Sequence, residues 1–195
     1  MKLLLFFSMI GILVFVFTFI LFSLIRTNFF KSLKRKSNPK RELILSIFVA
    51  YIAVMCLLLF LPNVFMSNHG IDLTSQNFDF VGDFKDRISA GSWGVNIIPF
   101  RTMKSYIKYS GVFHVFLNIA GNILIFIPFG TMLPMLYDDM RKFYRVAVLS
   151  ATFSFLVEIV QFFVGRSVDI DDFILNTIGG MIGYFVFKMI QNKYN

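Results

Sequence analysis

The chain has 195 residues, 57% of them hydrophobic and only 15% charged, with a net charge of +8. Its mean hydropathy is +0.73, and that composition excludes an ordinary soluble domain and points to an integral membrane protein. The length admits one small bundle, residues 1–195 as a single membrane domain, and the basic residues flank apolar runs, as contact with anionic lipid requires; no nucleic-acid-binding motif is present.

A bilayer core takes about 20 apolar residues in helix. The first span runs from Leu3 to Ile25. It is too long for a signal-peptide core, lacks a small-residue cleavage site and ends in a basic cluster, so it is expected to be retained. Leu43–Phe65 is the second span and closes a first helical hairpin over residues 1–66; its Cys56 has no partner for a disulfide. Residues 67–111 form a polar loop that begins acidic, with Asp72, Asp79, Asp83 and Asp86. The loop becomes aromatic and basic from Trp93 through Phe100, Arg101, Lys104, Tyr106, Lys108 and Tyr109. Such a mixture suits an interfacial segment at headgroup level, with an ordinary surface loop as the alternative. Residues 112–187 hold three further spans, at about Val112–Leu136, Val146–Val164 and Ile170–Phe187. Pro128 and Pro134, with Gly130 between them, predict a kink or break in the third span.

The expected fold is therefore all-α, a polytopic bundle of about five transmembrane helices in the cell membrane. Between spans one and two lie Arg26, Lys31, Lys34, Arg35, Lys36, Lys40 and Arg41; between three and four lie Arg141, Lys142 and Arg145. The positive-inside rule makes both loops cytoplasmic, which gives an outside N-terminus and a cytoplasmic C-terminus. Lys2, Arg101, Lys104 and Lys108 run against that orientation.

Polar residues inside these spans fall at helical spacing. His114, Asn118 and Asn122 share a face of span three; Ser150, Ser154, Glu158 and Gln161 share one of span four; Asp169, Asp172 and Asn176 share one of span five, continued by Gly179 and Gly183. A rise of about 1.5 Å per residue sets Glu158 and Asn176 roughly 10 Å below the same surface. Ionisable groups at such depth are costly and need partners. Asn118, Asn122, Glu158, Gln161, Arg166, Asp169, Asp172 and Asn176 are thus expected to line a polar pocket in the outer leaflet. Asn96, Arg101 and Arg166 are the candidate anion or headgroup contacts. Each has a structural alternative: interhelical glue for the asparagines, helix-dipole charges for Asp171 and Asp172, a turn staple for Arg166. The glycine pair, deeper, lets helices approach closely.

Asn96, Pro99 and Phe100; Asn118, Asn122, Pro128 and Gly130; Glu158 and Gln161; Arg166, Asp169, Asp171 and Asp172; and Asn176, Gly179 and Gly180 form an ordered series over residues 96–183. That series resembles the VanZ-like family. The resemblance implies a bacterial multi-pass membrane protein, and the family's namesake is linked to teicoplanin resistance; it carries over no catalytic residues. The expected ligand is an anionic amphiphile in contact with membrane lipids, either a lipid-linked cell-wall precursor or a lipoglycopeptide. No cofactor is called for and no metal ligand set stands out. The alternative is a metal-assisted enzyme acting on such a precursor, with Glu158, Asp169, Asp171 and Asp172 as oxygen ligands or base. A transporter with Glu158 as proton site fits less well, because the inner half is apolar and glycine-packed.

Overall fold

The computed structural model describes residues 2–35, 37–60, 95–104, 112–163 and 168–194; the side chains of residues 2–7, 112–118 and 194 lie outside that description. In chain order the elements are α1 (Lys2–Asn28), α2 (Lys31–Arg35), α3 (Pro39–Phe60), β1 (Val95–Asn96), α4 (Val112–Leu136), a 3-10 turn (Asp138–Arg141), α5 (Phe143–Phe163), β2 (Val168–Asp169) and α6 (Ile170–Tyr194). Among the described residues, α1, α3, α4, α5 and α6 are long and apolar enough to cross a membrane. The expected all-α membrane bundle is the observed one.

Helix starts follow local chemistry. Asn38 precedes α3 and its Oδ1 accepts the N–H of Lys40 at 3.0 Å, while Pro39 occupies the first helical position, where a missing N–H costs nothing. Of the kink or break expected in α4, the break is absent: the helix runs unbroken through Pro128 and Pro134. Side chains bond to carbonyls in the turn before Pro128. Tyr51 on α3 donates to the carbonyl of Ile125. The single hydroxyl hydrogen of Thr131 is shared between Ile127 O and Gly183 O of α6, each 2.9 Å from Oγ1.

The contact of α4 with α6 is the most extensive in the molecule. It is a contact of backbones. A methyl built on Gly130 would overlap the carbonyl of Gly180; one on Gly179 would overlap that of Ile123, and one on Gly183 that of Ile127. Small residues permit this approach, and in lipid such packing replaces the missing hydrophobic drive between helices. The close approach expected of Gly179 and Gly183 is therefore present, extended by Gly130 and Gly180. Opposite this seam, Met55 and Leu59 of α3 pack with Phe126, Phe129 and Leu133 of α4 and Val157 of α5. The rings of Phe129 and Phe153 stack there with centroids 5.0 Å apart.

The bundle has two chemically distinct ends. Arg41, near the start of α3, donates to Leu136 O at the end of α4 at 3.3 Å, which gathers the basic connections at one end. Gln161, near the end of α5, donates to Leu59 O near the end of α3 at 3.1 Å. The acidic start of α6 lies at that opposite end. α1 packs on α3 and is otherwise largely open, exposing Met9, Ile12, Leu13, Val16, Phe17 and Ile20 as a lipid-facing helix does.

Candidate functional site

The acidic end is built from α5, α6 and the segment 95–104. β1 and β2 pair in parallel, Val95 with Val168 and Asn96 with Asp169. This short ladder brings a loop segment onto the turn between two membrane helices, from more than seventy positions away in sequence.

Asp169 caps α6. Its Oδ1 accepts the N–H of Asp171 at 3.0 Å, the side-chain-to-second-residue bond that starts a helix. The same oxygen accepts Asn96 Nδ2 at 3.0 Å. Its own N–H donates to Glu158 Oε2 at 2.9 Å. Glu158 is 4% exposed, so this backbone donor meets a carboxylate drawn deep into the bundle.

Asp171 holds the segment most firmly. Its Oδ1 accepts the N–H of Phe100 at 2.5 Å, and its Oδ2 accepts those of Thr102 and Met103 at 3.1 Å each. Three N–H groups on one buried carboxylate are charge-assisted bonds, and each is stronger than its neutral counterpart. Phe100 has φ of 63°, a left-handed conformation unfavourable for a bulky residue, and the Asp171 bonds hold it there. Asn96 completes the turn: its amide also donates to Thr102 Oγ1 at 2.9 Å, and its Oδ1 accepts the N–H of Ile98 at 3.2 Å. Both amide hydrogens of Asn96 are thus committed internally.

Other candidates tie helices together. Asn122 Nδ2 donates to Asp172 Oδ1 at 2.5 Å, joining α4 to α6. Asn176 Nδ2 donates to Ser154 Oγ at 3.1 Å, joining α6 to α5. Gln161 turns to α3 instead, through Leu59 O. Arg101 is exposed, as is Lys104, on the single helical turn over residues 101–104. Arg166, Trp93, Tyr106, Lys108, Tyr109 and the loop aspartates lie outside the described residues, as do the side chains of His114 and Asn118.

The structure thus brings together Asn96, Glu158, Asp169 and Asp171 in one network and Asn122 with Asp172 in a second bond. It directs Gln161 elsewhere and leaves Arg101 on the surface. Among the described residues, no three His, Cys, Asp or Glu side chains are arranged to hold a metal ion. Asp171 stood outside the expected pocket, although it was a candidate oxygen ligand or dipole charge; no local pattern marks it as the receptor for N–H groups about 70 positions upstream. Ser154 and Thr102 were likewise missed as partners. The spacing of Ser154 to Glu158 was the available signal for the first.

These features define a polytopic helical bundle of membrane-spanning character, with a loop segment docked by carboxylates onto the turn between its last two spans. The family model for VanZ/LLP1 matches residues 48–191, and the chain belongs to that family. It is 38% identical over 84 residues to Protein VanZ of Enterococcus faecium, a match covering 41% of this chain and 50% of that relative. The match therefore spans about half the length of the relative. No solved structure matches the chain.

Proposed function

We propose that this chain is a multi-pass protein of the bacterial cell membrane that lowers susceptibility to teicoplanin-type lipoglycopeptides by engaging an anionic amphiphile at the outer leaflet. The amphiphile is a lipid-linked cell-wall precursor or the lipoglycopeptide itself. The basic residues gathered at one end support a cytoplasmic assignment for that end and an outward one for the acidic end.

One observation carries the reading. On the turn held by Asp171, the cations Arg101 and Lys104 are exposed beside Ile97, Ile98 and Phe100, which are 76%, 54% and 53% exposed. Cations and apolar side chains on one fixed turn suit a ligand with an anionic head and an apolar tail. In this reading Asn96, Glu158, Asp169 and Asp171 position the turn, and Arg101 and Lys104 meet the head. Family membership supports the link to lipoglycopeptides.

The experiment is deletion of the gene in its host, restored by wild type or by a chain carrying Arg101→Gln and Lys104→Gln. Deletion is expected to lower the inhibitory concentration of teicoplanin several-fold. The wild-type gene restores it, and the double variant, present in the membrane at equal amount, does not. An unchanged inhibitory concentration on deletion refutes the resistance role; full restoration by the double variant refutes the cationic turn as the contact.

A further inference from the structure

The hairpin of α1 and α3 carries a second polar assembly at the basic end, wholly outside residues 48–191 that match the family. Arg26 and Glu42 face each other there. Arg26 Nε donates to Glu42 Oε2 at 3.0 Å and Nη2 donates to Oε1 at 2.5 Å, with only 12% and 11% of the two side chains exposed. Ser23 donates to Ser46 Oγ at 3.4 Å, and Ser46 donates to Glu42 O at 3.0 Å. These groups line a cavity of about 300 Å³, together with Phe19, Lys34 and Leu43.

The cavity's chemistry is that of an amphiphile site. Glu42 occupies two of the five N–H donors of Arg26, and the carboxylate fixes the guanidinium plane. Lys34 stands at the rim, its ammonium donating to Thr27 Oγ1 at 2.6 Å. The two cations outweigh the single carboxylate. Phe19 and the half-exposed Leu43 supply an apolar wall on the side of the spans. Above it, α2 carries Lys31, Lys34 and Arg35, with Phe29, Phe30 and Leu33 exposed in and just before it, at 81%, 46% and 54%. Basic and apolar groups alternating in a short segment next to a span suit the boundary of an anionic leaflet.

We infer that this cavity binds one anionic phospholipid, its phosphate held by Arg26 and Lys34 and its chains lying along Phe19 and Leu43. Glu42 is a positioning residue that holds Arg26 in place for the phosphate. The site is separate from the docked turn at the acidic end and does not depend on the function proposed for it.

The test uses the full chain in detergent micelles, with phosphatidylglycerol or phosphatidylcholine of matched chains added, and native mass spectrometry to read bound lipid. Wild type is expected to retain phosphatidylglycerol over phosphatidylcholine. Lys34→Gln, an exposed position whose loss spares the fold, lowers that retention about tenfold, the worth of one charge-assisted hydrogen bond. Lys142→Gln, an exposed basic residue at the same end outside the cavity, leaves it unchanged. Equal retention of the two lipids overturns the proposal. So does an equal loss in the Lys34 and Lys142 variants, which marks diffuse attraction to basic residues. Displacement of the lipid by inorganic phosphate at equal concentration overturns the lipid as occupant in favour of the free anion.

Discussion

Asp171 accepts the backbone N–H of Phe100 at 2.5 Å, and Phe100 sits at a φ of 63°. A carboxylate at the start of the last span thus fixes the least favourable backbone conformation in the loop segment. Replacing it with Asn keeps the shape but removes the charge and one acceptor oxygen. Hydrogen bonds to charged groups contribute about 1.5–3 kcal/mol each. Asp171→Asn should therefore free the turn. Hydrogen exchange is expected to accelerate at the amides of Phe100, Thr102 and Met103 while that of α3 stays as it was; unaltered protection at all three would contradict this role.

The strain at Phe100 can be probed from the other side. Asn tolerates the left-handed region better than a bulky aromatic. Phe100 is half exposed, so it gives up little packing. Phe100→Asn should leave the fold intact and raise its thermal midpoint slightly, by the equivalent of about 1 kcal/mol. A lower midpoint would show that the ring contributes more than the backbone costs.

The glycine seam predicts opposite outcomes for one substitution. A methyl at Gly180 would meet Ser150 and one at Gly130 would meet the Gly180 carbonyl, whereas at Gly121 nothing lies within 4 Å. Gly130→Ala and Gly180→Ala should each cost about 1–3 kcal/mol or more, as overpacked interiors do. Gly121→Ala should be neutral or stabilise α4 by roughly 0.5–1 kcal/mol. Unfolding in mixed micelles reads all three, and equal effects at the three positions would remove the seam as the cause.

The Arg26–Glu42 pair lends itself to a double-mutant cycle. Removing one partner of this part-buried pair leaves the other charge without its hydrogen bonds, at a cost of about 1.5–3 kcal/mol. Arg26→Gln alone should be destabilising, and adding Glu42→Gln should recover much of the loss. If the double variant is as unstable as the sum of the singles, the two side chains are not coupled.

Much of this architecture was legible in the sequence. The ends of α4 fall where the apolar run starts and stops, and Gly179 with Gly183 announced a close helix approach, because both signals are local and periodic. Asn122, Glu158 and Asp172 were recognisable as groups needing partners, since a polar side chain among apolar ones stands out. They were grouped with Asp169 in one expected set, but which of them pair was not recognisable. Asp171 and Phe100 lie 71 positions apart with α4 and α5 between them, and nothing in either neighbourhood encodes the other. Pro128 misled in part: of the kink or break it implies locally, the break does not occur and α4 is continuous through it. Arg26 read only as one of several loop cations, because Glu42 stands at the far end of the same connection and its pairing depends on how α1 and α3 are aligned.

The backbone seat of α4 on α6 also bears on how the molecule is made. The carbonyls of Ile123 and Ile127 find their glycine counterparts in α6, which leaves the ribosome after α5. α4 must therefore wait, with two prolines and an unpartnered Asn122, through the synthesis of α5 and the following turn. The third span is thus made early and meets its main packing partner late, only after α5 is in place.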